Sequence, residues 1–496
     1  MTPPAATLPG PDVAPPATIA ADAAPPRLDR ARWYVVGVLG VVYALNIADR
    51  YVVSTVLEPI RIEFHLSDTG VGWLTGVSLA LFYILVGIPI SQLADRSNRR
   101  NIVAAAMMLW SLMTAILGLT QSFWQFMAVR IGVGVGEAGG TPPSTSIIAD
   151  YFPKERRAFA LTLFALGSPL GAWLGSNVAG RIVDHFHSWR AAFLVLGAPG
   201  VLLGILILLT IREPRRGRFE TIAPVATRQA PLGDTLRFLW RSRSAWHINA
   251  AGTVICLWGW GLMYWTQTFL QRAYGLSTAQ AGARLGSIYL WAGIAATLAT
   301  GAILALPAMR QPRRIAWFLA AVVFCSTVPS FAIYWTHSLS VATAMLWIVV
   351  PAIYLYTGPT MALLLNFLPP AMRAQGMAIS LLSANVANLI VAPLVVGWIS
   401  DSLSGPLHSN AESLRYALLA LSLTGFWAAY HYWTSVRSYE SDDRRMRVAE
   451  GTRARSEALS PSHRASLALP PDALPGIQAP SPSHTEPAAG EDKQCD

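Results

Sequence analysis

Two acidic and two basic side chains interrupt long apolar stretches of the sequence: Asp49, Arg50, Arg130 and Glu137. A charge at the centre of a bilayer costs roughly 2.5–3.5 kcal/mol, so a membrane protein keeps one where it has a partner or a water-filled cavity. Arg130 and Glu137 are seven residues apart, which places both on one helix face, about 10 Å apart along its axis. The four residues predict a polar patch in a central cavity. Ion pairs that only fix helix packing are the structural alternative.

The chemistry expected of this patch is proton binding and anion binding. A buried carboxyl group can take up a proton near physiological pH when burial and a neighbouring Arg act on it in opposite directions. Glu137 is therefore the predicted principal proton acceptor, and Asp49 is the second candidate. Arg keeps its charge at depth, and its planar fork fits a phosphate or a carboxylate. Arg130 is the predicted ligand of an anionic head group, and Arg50 either shares that role or only neutralises Asp49.

The second part of the sequence supplies no acid to such a site, because residues 235–400 contain no Asp or Glu. It supplies aromatic side chains instead. A dense group in one apolar stretch is predicted either to line an apolar wall for a hydrocarbon tail or to pack in the core. The group consists of Trp258, Trp260, Tyr264 and Trp265.

The composition identifies the surroundings of these residues as a membrane. The 496 residues are 53% hydrophobic and 13% charged, with a mean hydropathy of +0.42, whereas soluble chains are about one quarter charged. The net charge of +10 does not indicate nucleic-acid binding, because the Arg residues lie in short segments between apolar runs. Three scattered Cys predict neither a disulfide framework nor a metal cluster. No catalytic signature occurs, so we expect no enzyme, no metal and no cofactor.

Twelve apolar runs are long enough to cross a bilayer, and backbone that faces lipid must be hydrogen-bonded internally, so each run is predicted to be a helix. They lie near 33–57, 70–93, 101–121, 123–148, 158–184, 189–211, 246–271, 282–306, 315–336, 340–366, 374–400 and 413–436. The predicted fold is an all-α integral membrane protein with two pseudo-symmetric six-helix bundles. The expected divisions are a disordered tail (1–32), a first bundle (33–211), a linker (212–245), a second bundle (246–436) and a disordered tail (437–496).

The distribution of basic residues predicts the orientation. Segments on one side of the predicted spans carry 18 Lys and Arg, and segments on the other side carry 5. Because basic loops stay in the cytoplasm, the first set and both tails are expected to be cytoplasmic. The basic set consists of 94–100, 154–157, 212–245, 307–314 and 367–373. The Arg-, Ala- and Pro-rich tails favour the cell membrane of a bacterium, its inner membrane, as the location.

An internal repeat supports the six-plus-six division. One set of residues recurs 214 positions later and a second set recurs 217 positions later, in equivalent segments. The pairs are Gly87 with Gly301, Arg96 with Arg310, Arg99 with Arg313, Arg100 with Arg314, Pro153 with Pro370, Arg156 with Arg373, Gly180 with Gly397 and Asp184 with Asp401. Parallel repeats of this kind are related by an axis along the membrane normal and hold a central site between them.

The segment GIPISQLADRSNRR (87–100) is a turn between the second and third runs. Its charged residues are predicted to bridge to a neighbouring helix end when one side of the protein is closed; they are Asp95, Arg96, Arg99 and Arg100. The segment resembles the signature of the major facilitator superfamily. A closer resemblance, to its Spinster branch, lies in NIADRYVVSTVLEPI (46–60) and RIGVGVGEAGGTPPSTSIIADYFPKERRAFA (130–160). These stretches carry D-R in the first span and R-x6-E-A in the fourth.

The resemblance implies a twelve-helix transporter that works as a monomer by alternating access. It implies that Asp49 and Glu137 are the membrane acids, that Arg50 and Arg130 are the membrane Arg residues, and that 95–100 is a gate. It also implies proton-linked transport of lysophospholipids or sphingoid phosphates.

A proton-coupled secondary transporter of an anionic amphiphile is therefore the expected function. No ATP-binding loop occurs, so a proton gradient is the expected energy source. The alternative is a proton-coupled symporter of small organic anions such as sugar acids; an exporter of cationic drugs fits the paired Arg residues less well. The expected partners are a lipid or small-molecule substrate and the membrane lipids, without nucleic acid.

Overall fold

A computed structural model describes residues 27–219 and 230–437, and all regular secondary structure in these ranges is helical. The predicted tails lie largely outside the described residues. The first six spans are Arg27–Thr55; Asp68–Gly72, Trp73–Val77 and Ser78–Arg96; Arg99–Leu117; Phe123–Glu137 and Thr141–Tyr151; Lys154–Ala165, Gly167–Trp173, Leu174–Val178 and Ala179–Phe186; and Trp189–Thr210. The last six are Arg243–Tyr274; Thr278–Ala305; Pro312–Trp335; Leu339–Leu355 and Thr357–Phe367; Arg373–Asn385, Val386–Val391 and Ala392–Leu407; and Asn410–Ser422, continued by helix over 424–437.

The prediction of twelve membrane-spanning helices in two bundles is confirmed. Within the described ranges, nine helices are long and apolar enough by themselves to cross a membrane. The other three spans have local causes for their weaker signal. Span four is broken by a turn at residues 138–140, and span twelve is broken at Leu423. Span seven is continuous from Arg243 to Tyr274, but its Trp, Tyr, Gln and Thr residues lower its hydropathy.

Polar residues in front of the apolar runs fix where several helices begin. Ser67, Ser122 and Ser277 are the N-caps of spans two, four and eight, and each side chain accepts a hydrogen bond from a backbone N–H of the first turn. Such a cap satisfies one of the backbone donors that an α-helix leaves unpaired at its N-terminus. Gln280 completes a capping box with Ser277. These caps therefore define the residues at which spans two, four and eight begin.

The two ends of the molecule are named here by the chain termini. The terminal side carries the starts of spans one and seven and the loops 97–98, 152–153 and 368–372, whereas the distal side carries the loops 64–67, 275–277 and 408–409. The first half of the protein is spans one to six, and the second half is spans seven to twelve. A further helix, Leu232–Arg241, lies within the segment predicted as a linker and is called the linker helix.

The repeat brings the two halves together on the distal side in two equivalent contacts. Asp401 of span eleven accepts hydrogen bonds from the backbone N–H groups of Asp68 and Thr69, at 2.9 and 2.8 Å. The equivalent Asp184 of span five accepts a hydrogen bond of 2.5 Å from Ser277, the N-cap of span eight. Each carboxylate of the 217-residue repeat thus lies at the positive N-terminus of a helix in the other half.

Glycine permits both of these approaches. A Cβ at Gly180 would lie 2.7 Å from the carbonyl oxygen of Thr278, and a Cβ at Gly397 would overlap the carbonyl oxygen of Asp68. Distances under 3 Å are too short for a side-chain carbon, so only glycine fits at these two positions. In each half, the repeated Gly and Asp therefore act together. The Gly lets the N-terminus of a helix in the other half come close, and the Asp accepts a hydrogen bond from it.

Arg272 at the distal end of span seven completes a group that we call the distal latch: Glu58, Asp68, Arg272, Ser400 and Asp401. Arg272 donates to both carboxylate oxygens of Asp68, at 2.8 and 2.7 Å, and to Glu58 at 2.7 Å. Ser400 donates to Asp68 at 2.6 Å. Because Asp68 and Glu58 belong to the first half and Arg272 to the second, the latch closes the distal side.

We predict that Arg272→Gln opens the distal side. Removing one partner of a buried ion pair costs about 3–5 kcal/mol because a buried charge loses its compensation. The population of distally open molecules should therefore rise at least about tenfold. Distance distributions between spin labels at positions 62 and 405 measure this change. Arg284→Gln, which removes an exposed Arg on the same side, is the control; an unchanged distribution in Arg272→Gln would show that the latch is dispensable.

Candidate functional site

A central cavity of about 540 Å³ lies between the two halves. Its deep end is lined by Arg50, Ser54, Thr75, Arg130 and Tyr264. From there it extends toward the terminal side, between the terminal ends of spans five, eight, ten and eleven. Lining residues in those spans are Ala158, Leu161, Leu304, Met361 and Leu381. The cavity therefore combines a charged deep end with a mainly apolar remainder.

An ion pair between spans one and four is buried at the deep end. Nε and Nη2 of Arg50 both donate to Oε2 of Glu137, at 3.0 and 2.8 Å. The guanidinium also lies 5.3 Å from the ring centroid of Tyr83, within the range of a cation–π contact. The Glu137 side chain has no exposure, and its Oε1 has no hydrogen-bond partner among the described residues. Glu137 thus lies behind Arg50, which is the residue that lines the cavity.

The expectation that Arg50 only neutralises Asp49 is wrong. Consecutive residues on an α-helix point about 100° apart, so the long Arg50 side chain reaches the neighbouring span instead of its own sequence neighbour. Asp49 is buried and lies within the electrostatic influence of Glu137, Arg130 and Arg50, with Thr114 beside it. The structure brings all four predicted residues together in one cluster.

Arg130 differs from Arg50 in having no ion pair among the described residues. It is 1% exposed, and its Nε and Nη1 are buried without a hydrogen-bond partner in that part of the chain. It nevertheless lines the cavity. A buried guanidinium that is not hydrogen-bonded is costly unless another group satisfies it. The site is therefore suited to an anion that enters the cavity and binds Arg130.

Only half of the predicted aromatic wall faces this cavity. Trp260 and Tyr264 line it, as expected for residues four apart on one helix face. Trp258 and Trp265 do not line it; both are fully buried within the second half, and Trp258 Nε1 donates to Ser330 at 3.2 Å. Helical geometry is the reason, because these two residues point away from the face that carries Trp260. The Tyr264 hydroxyl lies near Arg130, so the second half also reaches the charged end.

Part of the wall that the second half contributes is polar but neutral, and it was not predicted from the sequence. It contains Tyr354, Thr357, Asn385 and Asn388. Amides and hydroxyls can donate to and accept from a substrate without carrying charge. In the sequence these residues are visible only as polar positions inside spans ten and eleven. Composition alone does not distinguish such positions from polar residues that pack between helices.

The residues of the predicted gate form a network within the first half. Arg99 is 2% exposed and binds Asp150 at 2.5 Å and Glu213 at 2.7 Å, while the backbone N–H of Arg100 donates to Glu213 at 2.9 Å. The network joins the turn between spans two and three to the end of span four and to the segment after span six. Arg96 is exposed, and the side chain of Asp95 lies outside the described part of the structure. The terminal side, where this network lies, is also the side toward which the cavity extends.

We predict unequal stability effects for substitutions at the two central Arg residues. Arg50→Met leaves Glu137 buried and uncompensated, which should lower the free energy of unfolding by about 3–5 kcal/mol. Arg130→Met removes a charge that has no ion pair or hydrogen bond among the described residues, so it should be far less destabilising. Thermal unfolding in detergent, without added ligand, checks this contrast. The double variant Arg50→Met, Glu137→Gln should recover more than half of the loss; equal losses in the two single variants would contradict the assignment of partners.

These features define a class of protein: a multi-pass membrane transporter with two six-helix halves around a central cavity. The sequence profile of the Major Facilitator Superfamily matches residues 39–392. The chain belongs to this superfamily, and it is Spinster-like within it. Members of this family are transporters and not enzymes.

Known relatives align over most of the chain. It is 31% identical over 432 residues to an MFS-type efflux pump of Mycolicibacterium smegmatis, covering 86% of this chain and 98% of that protein. It is 27% identical over 401 residues to the sphingosine-1-phosphate transporter SPNS2 of Mus musculus, covering 77% and 72%. It is 26% identical over 433 residues to a probable L-galactonate transporter of Escherichia coli, covering 84% and 92%.

A solved structure agrees with the fold. It is that of a bacterial homolog of the human lysosomal transporter Spinster, described as inward-facing and unoccupied. It matches with a TM-score of 0.74 and 28% sequence identity, covering 83% of this chain and 98% of that one.

Proposed function

We propose that this protein is a proton-coupled secondary transporter that moves an anionic amphiphile, of the lysophospholipid or sphingoid phosphate class, by alternating access. The observation that carries the proposal is Arg130, a buried cation with no ion pair or hydrogen bond among the described residues, at the deep end of a cavity that is otherwise mainly apolar. A phosphate head group would bind the guanidinium fork. The acyl or alkyl chain would lie along the apolar walls toward the terminal side.

Proton coupling would follow from the Arg50–Glu137 pair. In the structure Glu137 holds Arg50 through one oxygen, and its other oxygen has no partner among the described residues. A proton on Glu137 would neutralise the carboxylate and weaken its hold on Arg50. The positive charge of Arg50 would then act together with Arg130 on an anion. Proton uptake and anion binding would thus favour each other, which is the linkage that a gradient-driven transporter needs.

The orientation proposed for the chain places the terminal side in the cytoplasm of a bacterial cell. The asymmetry of basic residues supports this arrangement. With that orientation the closed distal latch faces outward, and the cavity extends inward. We further propose that the protein works as a monomer without a cofactor, driven by the proton gradient.

A symporter of small organic anions is the second candidate. The neutral polar wall favours it, because Asn385, Asn388 and Thr357 could bind the hydroxyls of a sugar acid whose carboxylate is held by Arg130. The relative named as a probable L-galactonate transporter supports the same reading. The two candidates share the anion site and differ in what occupies the rest of the cavity.

We predict that an anionic lysolipid stabilises the purified protein through Arg130. A ligand that binds only the folded state stabilises it by about 2.7 kcal/mol at a hundredfold excess over its Kd. Unfolding midpoints should rise with lysophospholipids or sphingoid phosphates and should not rise in Arg130→Ala. A monoacylglycerol, which lacks the anionic group, is the control ligand, and Arg284→Gln is the control variant. A rise with hexuronates alone would overturn the lipid assignment in favour of the second candidate.

We predict that the affinity for the anion increases as the pH falls. Protonation removes the negative charge of Glu137 and leaves the cavity more positive, so binding should strengthen at low pH and weaken at high pH. In Glu137→Gln the affinity should be high and nearly independent of pH. Ligand titrations from pH 5 to pH 8 measure this, with Asp49→Asn as the matched variant. A flat profile in Asp49→Asn, with an unchanged slope in Glu137→Gln, would assign the proton to Asp49 instead.

A further inference from the structure

The linker helix, Leu232–Arg241, packs on the second half through a narrow face. Thr235 and Leu239 are buried, and the Thr235 hydroxyl donates to Gln375 Oε1 at 2.7 Å. Gln375 in turn donates to the carbonyl oxygen of Ala230 at 2.9 Å. These contacts attach the helix to the terminal start of span eleven. Most of the other residues of this helix are exposed.

A stripe of large apolar side chains on this helix is left exposed. Leu232, Leu236 and Trp240 are four residues apart and are 56%, 48% and 73% exposed. Exposed apolar side chains in a continuous stripe indicate a surface that contacts something other than water. The linker helix therefore has an apolar face that the rest of the described chain does not cover.

The order of faces around the helix identifies its surroundings. At about 100° per residue, the exposed stripe is centred about 80° from the buried face of Thr235 and Leu239. Arg237, Arg241 and Asp234 follow about 130° further round, and all three are exposed. A helix that lies flat on a bilayer beside a membrane protein meets protein on one face, acyl chains on the next and water on the third. The linker helix has its buried, apolar and charged faces in this same order.

The position of the helix along the chain places it at the level of the membrane surface. Ser242 alone separates it from span seven, which begins at Arg243. The ring centroids of Trp240 and Trp246 are 4.6 Å apart, and Trp246 lies in the first turn of that span. Tryptophan is typical of the boundary between acyl chains and head groups. The exposed stripe is therefore continuous with Trp246, which is itself exposed at the start of span seven.

The charge of the helix fits the same surface. Arg237, Arg241 and Arg243 are exposed at its C-terminal end and just beyond it. Clustered Arg next to a membrane attracts anionic lipid head groups. An amphipathic helix with Leu and Trp on one face and Arg on the other has the composition of a helix bound at a membrane interface.

We propose that the linker helix is a membrane-surface anchor. Leu232, Leu236 and Trp240 insert between the head groups of the terminal-side leaflet, and Arg237, Arg241 and Arg243 bind phosphates of anionic phospholipids. Since the helix is attached to span eleven through Gln375, the anchor holds the second half at a fixed depth while the first half moves against it. This inference does not depend on which substrate the cavity binds.

Lipid quenching of a fluorophore on adjacent residues tests the anchor. The full chain, with Cys256, Cys325 and Cys495 replaced by Ser, receives one Cys at position 236 or, as the matched control, at position 237. Each variant is labelled and reconstituted in vesicles of phosphatidylcholine and phosphatidylglycerol that contain a lipid with a nitroxide near the head group. We expect quenching at position 236 to exceed quenching at position 237 at least threefold. Equal quenching at both positions, or a label at 236 shielded from lipid, would overturn the proposal; shielding would assign the stripe to a protein contact.

A second measurement tests the basic residues. Replacing Arg237, Arg241 and Arg243 by Gln should reduce the gain in quenching at position 236 that phosphatidylglycerol gives over pure phosphatidylcholine by at least half. Arg181→Gln with Arg284→Gln removes two exposed Arg residues on the distal side and should leave that gain unchanged. A gain that persists in the triple variant would overturn the role given to the three Arg residues.

Discussion

The ion pair between Arg50 and Glu137 is the interaction on which the central site depends. Two opposite charges in an apolar bundle remove much of each other's cost of burial, and a carboxylate held through one oxygen keeps the other oxygen available. The pair also determines which charged side chain stays unpaired. Because Glu137 binds Arg50 of another span, Arg130 on its own helix has no ion pair or hydrogen bond among the described residues. The same contact therefore stabilises the first half and creates its unsatisfied cation.

The two halves have equivalent helices and equivalent contacts with each other, but they contribute different kinds of side chain to the cavity. Asp184 and Asp401 hold the halves together by equivalent contacts with helix ends, as the repeat requires. The cavity wall, in contrast, carries Arg50 and Arg130 on one half and hydroxyls, amides and aromatic rings on the other. A duplicated frame thus supports a site in which one half supplies charge and the other supplies shape and neutral hydrogen bonds.

The fold could be predicted from the sequence because the membrane imposes a strong rule: each span must be long, apolar and helical. The cluster of Asp49, Arg50, Arg130 and Glu137 was also predictable, since few charged residues occur at that depth. The partner of Arg50 was not predictable, because pairing between spans depends on helix rotation and distance. The same limit applies to Trp258 and Trp265, whose burial depends on which face of span seven meets the cavity.

The linker helix and the neutral polar wall could not be predicted from the sequence for another reason. The linker helix has only ten residues, and most of its apolar face is not buried in protein. Its signal becomes interpretable only after Thr235 and Leu239 are known to be the buried face. The neutral polar wall is similar, since Asn385 and Asn388 gain meaning only from the cavity that they line.

The absence of carboxylates from residues 235–400 has an electrical consequence. A membrane voltage acts on charge, at about 2.3 kcal/mol per elementary charge for every 100 mV, and it does not act on hydroxyls or amides in the same way. In the described part of the chain, the charged residues at cavity depth belong to spans one and four of the first half. With both carboxyl groups ionised, the charges of Asp49, Arg50, Arg130 and Glu137 cancel. A membrane voltage therefore acts on this site only through the extra charge of a bound proton or anion, and that charge lies against the first half.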